Sequence, residues 1–151
     1  MTELGPEDFR TLAAFRYELR RFLAFSEQAA RAAGIEPQQH QLLLAVQGLP
    51  EGQRSTIRAV AERLCVQHHT AVALVDKLEG RALLTRERNT ADRREVLLRL
   101  TPSGAKLLRE LSKLHKAHLQ AVGPKMVRAL SQILGELGAP PKPIARAMRG
   151  V

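Results

Sequence analysis

The sequence predicts a mainly α-helical chain with one small β-hairpin, and three stretches carry that prediction. Residues 56–64 place Ile57, Val60, Ala61 and Leu64 at the spacing of one helix face. After a short turn, Cys65-Val66-Gln67, residues 68–79 repeat the pattern with Ala71, Leu74, Val75 and Leu78. Residues 84–88 and 95–100 then read as two short strands around the polar loop 89–94, with Val96, Leu98 and Leu100 alternating against Leu97 and Arg99. Two helices at a steep angle followed by a hairpin make a winged helix-turn-helix. Its second helix enters a DNA major groove while the hairpin tip reaches a neighbouring groove or backbone. Double-stranded DNA is therefore the expected partner.

The flanks read as helices. Residues 6–33 form a long first helix: Pro6 suits the first helical position, Glu7 and Asp8 suit the positive end of the dipole, and Gly34 stops it. Leu12, Phe15, Leu19, Phe22, Ala29 and Ala33, with Ser26 between, step by threes and fours as a seam for another long helix. Pro37 opens a second helix, broken by the stretch Gly48-Leu-Pro-Glu-Gly52. Beyond the hairpin, Thr101 caps a helix with Pro102 behind it, and Gly123-Pro124 is expected to end that helix. A further helix then carries Leu130, Ile133, Leu134 and Leu137. The expected division is a dimerisation helix in 1–35, the DNA-binding core in 36–101, dimerisation helices in 102–138 and a Pro-rich basic tail in 139–151. The terminal helices hold more apolar surface than so small a core covers, which predicts a twofold homodimer.

Composition agrees with a nucleic-acid partner. The chain has 151 residues, 24 Lys and Arg against 15 Asp and Glu, and a net charge of +9. Position matters more than the total, because Lys77, Arg81, Arg86, Arg88, Arg93, Arg94 and Arg99 fall on the second helix and the hairpin. One cysteine forms no internal disulfide, and the acidic N-terminus lacks a signal-like apolar stretch, so a cytoplasmic location is expected. With aromatics at 3% and no tryptophan, the core must be aliphatic.

The central residues resemble the MarR (multiple antibiotic resistance regulator) family of bacterial transcription factors. The likeness rests on Leu74-Val-Asp-Lys-Leu-Glu79, Arg81-Ala-Leu-Leu84, Asp92-Arg-Arg94 and Leu100-Thr-Pro-Ser-Gly104, in that order, and spans about residues 8–138. The resemblance implies a homodimeric winged helix on a palindromic operator, often a repressor released by a small phenolic or other lipophilic ligand. It implies that Asp92 braces the wing through a neighbouring arginine and that Arg94 enters the minor groove, where narrow A·T-rich tracts concentrate negative potential. Residues 67–69, where serine and arginine are more usual, and Ala73 depart from the family pattern, so relatives do not supply the operator sequence.

The expected DNA contacts are Gln67, His68, His69, Thr70, Val72, Lys77, Arg86, Arg93 and Arg94. Gln pairs with adenine, and His donates to guanine or phosphate; the plainer alternative is that these residues only cap the helix and face solvent. Val72 suits either a thymine methyl or open surface. The expected dimer contacts are Leu12, Phe15, Leu19, Phe22, Leu130, Ile133, Leu134 and Leu137. Tyr17 and Phe25 fall off the seam and are the pocket candidates. Cys65 reads as a buried turn thiol rather than a redox sensor, and with His68 and His69 it lacks the fourth ligand that zinc requires. His40, His115 and His118 are assigned to packing or surface. No phosphate loop, nucleophile motif or carboxylate pair argues for an enzyme, and no cofactor is expected. The competing reading is a winged-helix protein-interaction module without operator binding; a nucleoid-type binder without sequence preference is a third.

Overall fold

The computed structural model describes residues 3–135 and holds five helices and one antiparallel hairpin. Helix α1, Pro6–Ala32, begins where the Asp8 carboxylate accepts from the Gly5 N–H at 2.7 Å, with Glu7 also in its first turn. It ends as Gly34 adopts φ 79° and the Ile35 N–H returns to the Ala30 carbonyl, sealing Ile35 into the core. Helix α2, Pro37–Gln47, starts at its proline and stops at Gly48. Helix α3, Ile57–Leu64, is capped by the Thr56 hydroxyl, which accepts from the Ala59 N–H at 3.1 Å. Helix α4, His68–Gly80, buries Ala71, Leu74, Val75 and Leu78, the stripe read from spacing.

Cys65 differs from expectation. It takes the left-handed conformation, φ 55°, at the α3 C-terminus, and its thiol is exposed. The reversal swings residue 65 off the packed face, and Val66 turns back toward the protein with its N–H on the Ala61 carbonyl.

Strands β1, Leu84–Arg88, and β2, Val96–Leu100, pair antiparallel with Arg86 opposite Leu98. Leu84 and Leu98 point into the core. The hairpin is fastened on both sides. Ser55 accepts the Leu98 N–H at 2.8 Å and donates its hydroxyl to the Leu98 carbonyl at 2.7 Å. Across the hairpin, the Arg86 N–H donates to Glu79 at 3.2 Å.

Helix α5, Pro102–Leu134, starts on the predicted cap, with the Thr101 hydroxyl accepting from the Gly104 N–H at 3.0 Å. It then departs from the sequence reading, running unbroken through Pro124 for 33 residues, about 50 Å of helix. Proline removes one helical N–H, presses on the carbonyl four residues back and crowds the N–H and Cβ of the residue before it. That residue is Gly123, which has no Cβ, so one part of the crowding is absent where one continuous helix replaces the expected pair. Helices α1 and α5, first and last among the described residues, pack on each other beside the core of Leu42, Leu43, Val60, Val75, Leu78 and Leu111. The core is aliphatic, as composition required. Leu137 and the tail 139–151 lie outside the described residues.

Candidate nucleic-acid interface

The N-terminus of α4 is open to solvent. Gln67 occupies the N-cap with extended backbone, yet its side chain makes no capping hydrogen bond. The amide and the imidazoles of His68 and His69 are exposed, beside N–H groups that the helix leaves unpaired. Thr70 and Val72 are half-buried at the edges of the packed stripe. Lys77 is exposed but turns toward a depression it shares with Glu27, Arg31 and Glu36, on the α1–α2 side of the helix.

The wing tip is organised by side chains folding onto its own backbone. Asn89 accepts from the Ala91 N–H at 3.0 Å and donates to the Glu95 carboxylate at 2.6 Å. Arg54 pairs with the same Glu95 at 2.8 Å, tying the tip to the loop before α3. Asp92 does not reach an arginine side chain; its carboxylate accepts the Arg94 main-chain N–H at 3.0 Å, an Asx turn. Residue 92 is two positions from that donor, which is the reach such a turn requires. Arg88 is drawn back onto the Arg93 carbonyl at 3.1 Å. Arg93 and Arg94 are exposed and, among the described residues, pair with no carboxylate.

Arg86 has a different occupation from the one expected of it. Its guanidinium is clamped between Asp76 at 2.5 Å and Glu79 at 2.8 Å. Both carboxylates project from α4. The single positive charge of Arg86 offsets one of their two negative charges and ties the middle of β1 to the helix, which leaves its guanidinium occupied by protein groups.

The expected helix seam divides. Phe15, Leu19 and Phe22 are half-buried on α1, and Phe22 meets the His115 ring of its own chain edge-on, at 6.1 Å between centroids. Leu12, Leu130, Ile133 and Leu134 stay exposed, at 44%, 39%, 38% and 63%. Between α1, α2 and α5 lies an open cavity of about 540 Å³ whose walls include Phe22, Leu23, Leu44 and Leu119. Its floor carries His40, 2% exposed, with its ring centroid 4.9 Å from that of His115. The His115 Nδ1 lies 2.6 Å from the Leu111 carbonyl, which can only accept, so that nitrogen carries the proton. Its Nε2 then accepts from the Ser26 hydroxyl at 2.7 Å. Burial, and secondarily the facing His115, lower the His40 pKa to about 4. Phe25 instead stacks on His118 at 3.8 Å and lines a separate hollow, and Tyr17 lies against Arg21 outside both. No local pattern marks the cavity in sequence, because Ser26, His40 and His115 converge from three distant helices. Asn89 and Glu95, also missed, were legible as a polar loop start facing a strand start. Among the described residues no cluster of three His, Cys, Asp or Glu could hold a metal, and no helix is long and apolar enough to cross a membrane.

Residues 33–95, which span α2 through the wing, match the model of the MarR family. No curated protein matches the chain in sequence. Among solved structures the chain is similar to AbsC, a MarR family transcriptional regulator from Streptomyces coelicolor, at 18% identity and TM-score 0.70, covering 89% of this chain and 93% of that one. It is similar to CouR, a transcriptional repressor solved with a 23-mer DNA duplex, at 26% identity and TM-score 0.62, covering 88% and 96%. It also resembles BpsR of Bordetella bronchiseptica, whose DNA binding is regulated by 6-hydroxynicotinic acid, at 24% identity and TM-score 0.60, covering 79% and 86%.

Proposed function

From a core, residues 33–95, that belongs to the MarR family, we propose that this transcriptional regulator acts as a repressor, binding a palindromic operator as a homodimer and released by a small lipophilic or phenolic ligand. The observation that carries the reading is the pairing of an uncapped, exposed α4 N-terminus with wing arginines that, among the described residues, no carboxylate neutralises. Gln67, His68 and His69 read base edges; Thr70 and Val72 flank them; Arg93 and Arg94 hold phosphate or the minor groove. Lys77 meets phosphate, if DNA at all, from the side of the helix. The exposed Leu12, Leu130, Ile133 and Leu134 support association through α1 and α5, with Phe15, Leu19 and Phe22 stiffening that layer from within. The effector reading is supported by the apolar cavity between the layer and the DNA-binding core, and by the regulation of BpsR by a small ring acid.

Selection of bound duplexes from a random pool tests the reading. The expected consensus is an inverted repeat with half-site centres about 10 base pairs apart. On that operator Gln67→Ala or His68→Ala costs about 1–3 kcal/mol and costs little on a scrambled duplex. Arg94→Ala lowers the logarithmic salt slope by about one. An asymmetric consensus, or affinity indifferent to salt, would overturn the proposal.

A further inference from the structure

We infer that Glu95 is a positioning residue for DNA recognition: by holding Arg54 and Asn89 at once, its carboxylate fixes the angle of the wing against α3 and so decides which flanking base pairs Arg93 and Arg94 meet. The inference rests on the DNA reading above and adds to it the part that sets the reach of the wing.

A wing helps to select sequence only if its tip stands at one distance from the reading helix. The tip loop, 89–95, is stiff within itself. The Asn89 N–H donates to the Glu95 carbonyl at 2.9 Å, the Glu95 N–H donates to the Asp92 carbonyl at 3.1 Å, and the Asp92 carboxylate holds the Arg94 N–H. None of these bonds joins the loop to a helix, and a two-stranded ribbon has little stiffness of its own. The body of the hairpin is held from both sides, by Ser55 at Leu98 and by Asp76 and Glu79 at Arg86, but Arg86 and Leu98 are opposite one another on a single rung. A ribbon held at one rung can still rock about it. Among the described residues, the one polar tie between the hairpin beyond that rung and the rest of the protein is Arg54 to Glu95, at 2.8 Å. Glu95 lies three residues from Leu98, about 10 Å at the rise of a strand. Two attachments that far apart fix an angle. The residues on the other side of the tie are consecutive: Arg54 holds the tip, Ser55 holds the hairpin body, and Thr56 caps α3.

The Glu95 side chain is only 18% exposed. Sheltering a carboxylate is costly unless charge and hydrogen bonds offset it. Arg54 supplies the charge, and the Asn89 amide donates at 2.6 Å. Both meet the same oxygen, Oε2. One atom thus joins the loop before α3 to both ends of the tip loop. A carboxamide oxygen at that point would still face both donors, whereas a methyl group would face neither.

The test uses the full chain and the duplex selected above, with its central sequence kept and its flanks varied from A·T-rich to G·C-rich. The parent is expected to distinguish the best flank from the worst by about tenfold. Glu95→Ala is expected to reduce that ratio to about twofold, while discrimination at the central bases stays and affinity for a scrambled duplex does not fall. A general loss of folding would lower all three together. Glu95→Gln, which removes the same charge and retains the oxygen, is expected to keep most of the flank ratio. Arg54→Met, a change at an exposed side chain, is expected to lose it as Glu95→Ala does, and decides the matter should Glu95→Ala fold poorly. An unchanged flank ratio in Glu95→Ala or Arg54→Met, or equal losses in Glu95→Gln and Glu95→Ala, would overturn the inference. A parent indifferent to its flanks would overturn it too, while leaving operator binding in place; a parent that selects no duplex would remove both.

Discussion

Gly104→Ala sets two well-known effects against each other, and the structure says which wins. Gly104 lies in the first turn of α5, where a Cβ would stand 2.0 Å from the Leu83 carbonyl oxygen and 2.9 Å from its carbon. Intrinsic propensity favours alanine in a helix by about 1 kcal/mol. Real Cβ atoms essentially never approach closer than 3.0 Å, so the start of α5 must withdraw by about 1 Å from backbone that cannot rotate aside. Overpacking of this kind costs about 1–3 kcal/mol. The withdrawal also strains two hydrogen bonds that join the same turn, the Thr101 N–H to Leu83 at 3.2 Å and the Thr101 hydroxyl to Ala82 at 2.7 Å. Each is worth about 1 kcal/mol, and the net expectation is a loss of about 2 kcal/mol or more. Urea unfolding followed by circular dichroism, at one protein concentration because assembly shifts the midpoint, measures it. Gly80→Ala is the control: it ends α4 with nothing within 4 Å of the new methyl, and should gain stability. A midpoint for Gly104→Ala equal to or above that of the parent would refute the steric argument.

Three further outcomes follow from the geometry. Arg86→Ala should weaken duplex binding by about 1–2 kcal/mol at low salt by exposing Asp76 and Glu79 to phosphate. The loss should shrink by more than half when those residues are already Asn and Gln; a full loss in that background would mean that Arg86 touches DNA. Pro124→Ala should stabilise the protein by up to about 3 kcal/mol, because α5 is continuous there and regains an N–H; unchanged thermal stability would show the helix to be broken at that point. The lowered His40 pKa makes the unfolded chain the better proton acceptor. Its contribution, at most about 3 kcal/mol, is complete above pH 6.5 and lost as pH falls to about 4. Unfolding across that range should show the loss in the parent and not in His40→Gln, and identical pH profiles would refute it.

The winged core was legible because its signals are local. Four apolar residues per helix at helical spacing located α3 and α4, Thr101 announced α5 by capping, and alternation marked β2. What escaped depends on residues far apart or on compensation between neighbours. Pro124 reads as a stop, and nothing local shows that packing carries α5 through it, with Gly123 lacking the Cβ that the ring would crowd. Arg86 reads as a DNA contact because charge in a wing invites it, and nothing in sequence shows that Asp76 and Glu79 lie within its reach. The α1 seam carries two sets of contacts in one periodicity: Phe22 turns to the chain's own α5, whereas Leu12 turns outward. His40 and His115 carry no spacing signal at all.

The central rung of the hairpin, Arg86 opposite Leu98, has a consequence for what the protein avoids. A two-stranded sheet has two open edges, each able to recruit a strand from another molecule. Here both outward N–H groups of that rung are taken, Leu98 by Ser55 and Arg86 by Glu79. A foreign strand would have to displace a main-chain carbonyl on one side and a carboxylate on the other before gaining its first bond. Copies crowded onto neighbouring DNA sites would thus meet hairpin to hairpin without polymerising edge to edge.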